Sequence, residues 1–300
     1  MSICCNRLSR WFAIGIAIGV AISVSSKSRA DTFEGMDVKV EGKGAPMIFI
    51  PGLNSASEVF TNACDAFRKN HTCYLVQLPG FAGQPPLLHP DNEFLNTMRD
   101  SIIHYIESNK LRHVVLVGHS LGGTLSLMAA IKAPQDVDKL VIVDALPFYP
   151  AAQNPSATVD MMRPQAQMMR DAMLKQSDEE FKSNAARSVN GMTNDSSRVP
   201  MLVKWTTSSD RATTTEAMYE LMTTDLRAAI ADIRQPILVL GAWAAYKQYG
   251  ATKESTRAIF AAQYAQAKQV TIKMSEASYH FIPLDDTPWL VSQVQTFIKQ

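Results

Sequence analysis

The sequence predicts an α/β fold, in which a parallel sheet is covered by helices on both faces. From Val38 onward, short apolar or β-branched runs alternate with helical stretches, and this order is typical of a parallel sheet. The composition agrees, because 300 residues that are 46% hydrophobic and 19% charged can bury a large core. Disordered, collagen-like and coiled-coil architectures are excluded.

The predicted elements follow one another along the chain without an internal repeat of fixed period. Strands are expected at 46–50, 73–78, 113–117, 140–143, 236–240 and 269–274. Helices are expected at 56–69, 93–108 and 121–131, between the first four strands, and at 288–298, where a last helix closes the domain.

The alternation breaks between residues 148 and 233, where no convincing strand pattern occurs. Structureless loops longer than ~15 residues are rare in compact domains, so this segment is predicted to be a helical insertion. Nine of the fifteen methionines lie in it. Because methionine is flexible and polarizable, they favour either contact with varied apolar ligands or a small core within the insertion. The sheet domain is expected to comprise 31–147 and 234–300.

The first 30 residues predict an export signal. Two arginines precede the apolar run 11–24, and Ser28-Arg29-Ala30 places small residues at the two positions that signal peptidase reads. We expect cleavage before Asp31 and a periplasmic or secreted protein. An uncleaved membrane anchor is the alternative, but a helix of this length spans only ~21 Å, whereas the hydrocarbon core is ~30 Å thick.

The formal net charge of +1 comes from this N-terminal segment. The first 30 residues hold four of the 29 Lys and Arg side chains and no acid, which leaves 25 basic and 28 acidic side chains in the rest of the chain. Without a positive excess, nucleic acid is not an expected partner, and a small molecule or a protein is favoured.

The cysteines divide into two pairs. Cys4 and Cys5 precede the apolar run, whereas a lipoprotein cysteine would follow it, so no lipid anchor is expected. Cys64 and Cys73 would close a short loop in an oxidising compartment. Cys64 is expected within a helix and Cys73 at the start of a strand, which can hold their Cα atoms too far apart. A disulfide and two buried thiols are both open.

A serine motif directly follows the predicted strand 113–117. Gly118-His119-Ser120-Leu121-Gly122-Gly123 stands between that strand and the next helix, which is the context of a nucleophile elbow. Glycines two residues either side of the serine relieve crowding in the sharp turn, so Ser120 is the expected nucleophile. The backbone N–H of Leu121, at the helix N terminus, is an expected oxyanion donor.

The base expected for Ser120 is His280, six residues after the last predicted strand. In this architecture the base follows the nucleophile in chain order, and His280 is the only histidine there. His119 shares the turn with Ser120 and cannot readily approach its hydroxyl, so it is expected to pack beneath the elbow. The other histidines are expected to be solvated or structural: His71, His89, His104 and His113.

A second oxyanion donor is expected in the turn after the strand 46–50. The sequence there reads Ile50-Pro51-Gly52-Leu53-Asn54. Gly52 permits close approach, and the backbone N–H of Leu53 is the expected donor. The side chain of Asn54 can donate as well, and a plain turn is the alternative.

With these residues in place, the chain resembles the α/β-hydrolases that carry a cap, a group that includes bacterial esterases, lipases, perhydrolases and C–C hydrolases. The resemblance covers about residues 38–300. It implies a mostly parallel eight-stranded sheet with helices on both faces, a helical cap inserted after the sixth strand, and a Ser–His–acid triad. Pro51-Gly52 stands where this family usually has His-Gly.

The acid is a larger departure from the family's commonest pattern, in which an aspartate follows the seventh strand. No carboxylate occurs here at 241–247. A variation of the fold places the acid after the sixth strand, which ends here at Val143-Asp144-Ala145, so Asp144 is the preferred acid. It would hold the His280 imidazole in the right tautomer. Asp225 is an alternative, and Asp285 and Asp286 are further candidates.

These residues predict a serine hydrolase that cleaves carboxylic esters of apolar substrates through an acyl-enzyme intermediate. Perhydrolysis, lactone opening, C–C cleavage and an aminopeptidase-like role stay open, because they use the same constellation. A secreted binding protein on a hydrolase scaffold is the alternative from a different class. No cofactor is expected, and no metal, because no His or Cys cluster has ligand spacing. The sequence contains no pattern that predicts the acyl chain length or the oligomeric state.

Overall fold

A computed structural model of the chain describes Met1 and residues 29–87 and 93–300. The predicted export signal, apart from Met1 and its last two residues, lies outside the described residues, as does His89. No helix in the described part combines the length and the apolar character needed to cross a membrane.

Eight strands form one sheet in the order β1-β2-β4-β3-β5-β6-β7-β8. The strands are β1 (Arg29–Phe33), β2 (Met36–Gly42), β3 (Ala45–Ile50), β4 (His71–Gln77), β5 (Val114–His119), β6 (Val137–Val143), β7 (Ile237–Gly241) and β8 (Val270–Met274). Strand β2 pairs antiparallel with both β1 and β4, and all other pairs are parallel. The mostly parallel eight-stranded α/β sheet is therefore confirmed.

Among the described residues, six helices belong to the sheet domain and four lie between β6 and β7. The first group is α1 (Thr61–Phe67), α2 (Phe94–Ser108), α3 (Leu121–Lys132), α8 (Lys253–Gln263), α9 (Ile282–Asp285) and α10 (Thr287–Ile298). The second group is α4 (Val159–Lys175), α5 (Asp178–Ser188), α6 (Val199–Thr207) and α7 (Arg211–Thr223).

Helices cover both faces of the sheet because its central strands are apolar on both sides. In β3, Ile48 and Ile50 pack into a cluster with residues of α2, α3 and α8. The alternate residues Met47 and Phe49 pack into a second cluster with residues of α1 and α10. Side chains of successive residues in a strand point to opposite faces, so these two clusters are the cores on the two sides of the sheet.

Helix α3 lies deepest, since ten of its twelve residues are buried. A helix that is apolar on all sides must be surrounded by other elements. It packs against β3, β5 and β6, and this packing fixes the position of its N terminus, where Ser120 lies.

The segment between β6 and β7 is mostly helical, and its methionines are not uniformly buried. Met161 and Met168 of α4 are 57% and 67% exposed, whereas Met222 of α7 is buried. Some of the methionines thus pack in the interior of the protein, and others present apolar surface to solvent.

Cys64 and Cys73 are both buried and both free. The thiol of Cys73 lies 3.6 Å from the carbonyl oxygen of Cys64, to which it donates a hydrogen bond. Of the two outcomes that the sequence left open, this structure shows two buried thiols and not a disulfide.

Candidate active site

Ser120 occupies a strained turn between β5 and α3. Its backbone has φ 53° and ψ −120°, a conformation that is unfavourable for a residue with a Cβ. The turn is held from both sides: the N–H of Ser120 donates to the carbonyl oxygen of Val143 at 2.9 Å, and its carbonyl oxygen accepts from Gly123 N at 2.8 Å. The structure therefore has the sharp strand-to-helix turn that the motif predicts.

The glycines around Ser120 are required by close backbone contacts. A Cβ at Gly118 would lie 2.1 Å from the carbonyl oxygen of Gly122, and one at Gly122 would lie 2.1 Å from that of Ile50. Gly52 lies close to the serine itself, because a Cβ there would lie 3.0 Å from the Cβ of Ser120. The turn after β3 and the turn after β5 are thus in van der Waals contact.

His280 follows β8 and contacts the carboxylate of Asp144. The distance between His280 Nδ1 and Asp144 Oδ2 is 2.7 Å, and both side chains are partly buried. A carboxylate accepts a hydrogen bond from Nδ1–H, which leaves Nε2 as the basic nitrogen of a neutral imidazole. A histidine that is paired in this way through Nδ1 has the orientation that a serine nucleophile requires of its base.

Asp144 is the first residue after β6, and the neighbouring strand β7 holds it in place. Its backbone has φ 47°, and its N–H donates to the carbonyl oxygen of Leu240 at 2.7 Å. Its Oδ1 accepts a hydrogen bond from the backbone N–H of Ala242 at 2.8 Å. One carboxylate oxygen is thereby fixed by the chain after β7, and the other faces His280.

The other candidate acids have different partners. Asp225 pairs with Arg227 at 2.6 Å, and although burial opposes the effect, the hydrogen bonds from Arg227 hold the pKa of Asp225 below its usual value. Asp286 accepts from the N–H of Trp289 at the start of α10. The structure places Asp144 against His280, whereas the carboxylates of Asp225 and Asp286 make structural contacts elsewhere.

Asp285 supports the loop that carries His280. Its carboxylate accepts hydrogen bonds from the N–H of Tyr279 at 2.7 Å, from Thr193 Oγ1 at 2.5 Å and from the N–H of Asn194 at 3.3 Å. Burial nevertheless raises the pKa of Asp285. Asp285 was predicted only as a further acid candidate, and its partners at 193–194 are too distant along the chain to have been found from the motif.

The two predicted oxyanion donors lie in two turns that contact each other at Ser120. Leu121 is the first residue of α3, where backbone N–H groups have no intrahelical acceptor. Leu53 lies in the turn after β3, which is closed by a hydrogen bond from Ser55 N to the carbonyl oxygen of Gly52 at 3.2 Å. The contact between Gly52 and Ser120 brings these two turns together.

Asn54 connects the turn after β3 to α7. Its backbone has φ 56°, and its Oδ1 accepts a hydrogen bond from Thr214 Oγ1 of α7 at 2.7 Å. Thr214 thereby orients the amide through its oxygen, and the NH₂ group is the part of this side chain that can donate. A contact across 160 residues has no local signal in the sequence.

His119 is fully buried, as expected for a residue that packs beneath the turn. Its Nε2 also lies 2.9 Å from the carbonyl oxygen of His280, a contact that the sequence did not predict. Within the described residues, no group of three or more His, Cys, Asp or Glu side chains is arranged to hold a metal ion.

Comparison with known proteins gives a family match and more distant relatives. The family model for the alpha/beta hydrolase fold matches residues 45–249. A pimeloyl-[acyl-carrier protein] methyl ester esterase of Xylella fastidiosa (strain M23) is 28% identical over 218 residues, which cover 68% of this chain and 77% of that protein. An abhydrolase domain-containing protein of Caenorhabditis elegans is 31% identical over 105 residues, and the match spans 34% of this chain and 24% of that protein.

A solved structure shows the same fold. A hydrolase from Pseudomonas aeruginosa PA01 superposes with a TM-score of 0.72 at 15% sequence identity. The superposition covers 92% of this chain and all of that one. The fold is therefore shared over nearly the whole chain, although most of the residues differ.

Proposed function

The chain belongs to the α/β-hydrolase family, and from this premise we propose that it is a serine esterase that cleaves carboxylic esters of apolar substrates through an acyl-enzyme intermediate. The observation that carries the proposal is the pairing of His280 with Asp144 at 2.7 Å, beside a serine held in a strained strand-to-helix turn. Hydrolysis is common to the family, whereas the ester substrate and the residue roles are our proposals.

The proposed reaction begins with proton transfer to His280. Asp144 accepts a hydrogen bond from Nδ1–H, so that Nε2 removes the proton of Ser120 Oγ as this oxygen attacks the ester carbonyl carbon. The backbone N–H groups of Leu53 and Leu121 donate to the oxyanion of the tetrahedral intermediate. The protonated Nε2 then gives its proton to the leaving alkoxide, and the C–O bond breaks to leave the acyl-enzyme.

A water molecule then hydrolyses the acyl-enzyme. His280 Nε2 removes a proton from a water molecule, whose oxygen attacks the acyl carbon and forms a second oxyanion. Collapse of this intermediate returns the proton to Ser120 Oγ and releases the carboxylic acid. The Asp144 carboxylate stays ionised throughout and stabilises the imidazolium.

Two observations support an apolar ester as substrate. The helical segment between β6 and β7 presents exposed methionines such as Met161 and Met168, and methionine side chains adapt to apolar ligands of different shape. A relative that matches 68% of this chain is by name a methyl ester esterase. We propose that the substrate is a small molecule and that the reaction uses no cofactor.

The experiment that tests this function combines active-site labelling with turnover. Wild-type protein is expected to react covalently with a fluorophosphonate probe and to hydrolyse p-nitrophenyl esters, with a rate that changes across a series from acetyl to palmitoyl. Ser120→Ala should lose both labelling and turnover, whereas Ser183→Ala, at an exposed position of α5, should lose neither. A folded wild-type protein that is not labelled at Ser120 and turns over none of the esters would refute the proposal.

We also propose that the protein is exported, because residues 1–30 have the charge, apolar run and small-residue pattern of a signal peptide. Expression of the full chain followed by N-terminal sequencing of the periplasmic and secreted fractions tests this. A new N terminus at Asp31 is expected, and a full-length product retained in the membrane fraction would contradict it.

A further inference from the structure

His119, next to the proposed nucleophile, contacts the backbone of the proposed base. It is the last residue of β5 and has no exposed surface. Its Nε2 lies 2.9 Å from the carbonyl oxygen of His280. A carbonyl oxygen can only accept, so Nε2 carries the hydrogen in this contact.

The second ring nitrogen of His119 makes no comparable contact. Nδ1 is buried and has no hydrogen-bond partner among the described residues. A Cβ at Gly52 would lie 3.1 Å from this nitrogen, so the turn after β3 closes over that side of the ring. Among the described residues, the hydrogen bond of this imidazole is therefore the one through Nε2, toward His280.

The two histidine rings also pack against each other. Their centroids are 4.7 Å apart with an interplanar angle of 45°, and the ring of Phe281 lies 5.1 Å from that of His119. Burial, together with the neighbouring His280, holds the pKa of His119 well below its usual value. A neutral His119 does not repel the imidazolium that His280 becomes during the proposed reaction.

We propose that His119 is a positioning residue, whose Nε2–H fixes the backbone carbonyl of His280 and thereby holds the base between Ser120 and Asp144. This inference rests on the proposed function. His280 lies in a non-helical loop between β8 and α9, so its backbone is not held by strand pairing or by a helix. Misplacement of a reacting group by about 1 Å can reduce a rate about 100-fold, which is why such an anchor matters.

The test compares two amides that mimic different nitrogens of the imidazole. Glutamine places its side-chain nitrogen about as far from the backbone as Nε2, whereas asparagine places it near Nδ1, where this site offers no acceptor. His119→Gln should keep kcat within about 3-fold of wild type, and His119→Asn should lower kcat about 10- to 100-fold with KM little changed. The rate of fluorophosphonate labelling should follow kcat.

The pH profile of kcat/KM separates positioning from a merely structural role. In His119→Asn the looser contact between His280 and Asp144 should change the pH profile of kcat/KM, while His119→Gln should keep the wild-type profile. A residue that only fills space would change thermal stability in both variants without this difference. Equal kcat values and pH profiles for the two variants would overturn the inference.

Two controls keep the outcome interpretable. If the Asn variant does not fold, the Gln variant decides, because a folded His119→Gln protein with less than about one tenth of wild-type kcat contradicts the proposed contact. Ser120→Ala tests the function itself: wild-type turnover in that variant refutes the esterase proposal. Inactive Ser120→Ala together with fully active His119→Asn refutes only the role of His119.

Discussion

Replacing Asp144 by asparagine tests the proposed triad most directly, because the structure predicts how the new side chain will be oriented. Asp144 Oδ1 accepts from Ala242 N at 2.8 Å, and a backbone N–H can only donate. The asparagine oxygen should therefore stay on Ala242 and place the NH₂ group where Oδ2 now lies, 2.7 Å from His280 Nδ1. An NH₂ group donates, so His280 would have to carry its hydrogen on Nε2.

That tautomer cannot accept the proton of Ser120. In the serine triad for which the aspartate-to-asparagine change has been measured, kcat falls about 10⁴-fold for this reason. We expect a similar loss here, which corresponds to about 5.4 kcal/mol of transition-state stabilisation. KM should change little, because Asp144 contacts the base and is not proposed to contact the substrate.

The assay is p-nitrophenyl ester hydrolysis, with thermal unfolding to establish that each variant is folded. Asp225→Asn is the matched control, since it removes one carboxylate charge at a site paired with Arg227. It should lower stability by about 1 kcal/mol or less and leave kcat unchanged. Wild-type turnover in Asp144→Asn, or a larger loss of kcat in Asp225→Asn, would refute the assignment of the acid.

Three further predictions concern the surroundings of the site. Burial raises the pKa of Glu220 to about 7 from an ordinary 4.5, so the folded state binds its proton more tightly than the unfolded state. The contribution of Glu220 to stability should therefore be fully present below pH 4.5 and should fall by up to roughly 3 kcal/mol as the pH rises to 7. Glu220→Gln should flatten this slope in thermal unfolding between pH 5 and 8, and an unchanged slope would contradict it. Thr214→Val removes the donor to Asn54 and should lower kcat about 10-fold, and Thr214→Ser should restore it. The hydroxyl of Thr215 has no partner among the described residues, so Thr215→Val should keep wild-type kcat. Equal losses in the two Val variants would argue against the contact between Thr214 and Asn54. Gly52→Ala places a Cβ 3.0 Å from that of Ser120 and should slow fluorophosphonate labelling about 10-fold or more, whereas a wild-type labelling rate would show that the two turns can separate.

The central strands could be predicted because each is a short apolar run bounded by polar residues. The expected strand 140–143 corresponds to the apolar half of β6, Val137–Val143, whose first residues are less apolar. Strands β1 and β2, at one end of the sheet, were not predicted. Strand β2 reads Met-Asp-Val-Lys-Val-Glu-Gly, in which apolar and polar residues alternate, so it contains no short apolar run. Helix α8 also had no prediction; it starts with Thr252 and Ser255 capping each other's backbone, and only part of one face is apolar.

The candidate site could be predicted where its chemistry lies within a motif. Ser120 and Leu121 belong to one strand–turn–helix signal, and His280 is the only histidine after them. Contacts made between distant segments gave no signal, since they depend on side chains that the fold brings together. The hydrogen bonds of Asn54 with Thr214 and of Asp285 with Thr193 are of this kind.

The place of the acid follows from the geometry of two adjacent parallel strands. In the register of the sheet, Val143 at the end of β6 pairs with Leu240 near the end of β7, so the first residues beyond both strands are neighbours. Neighbouring strands lie about 4.8 Å apart, a distance that a change of side-chain direction can bridge. The positive φ of Asp144 supplies this change of direction.

Because the proposed acid directly follows β6, the chain after β7 has a different role at the site. The chain after β7 offers the backbone N–H of Ala242 to Asp144 Oδ1, in place of a carboxylate of its own. A backbone donor is present whatever side chain stands at position 242, so this support does not depend on a particular residue there, with proline the exception. The prediction follows that Ala242→Ser should leave kcat unchanged, whereas Ala242→Pro should release the Asp144 carboxylate and lower kcat without changing the residues of the proposed triad.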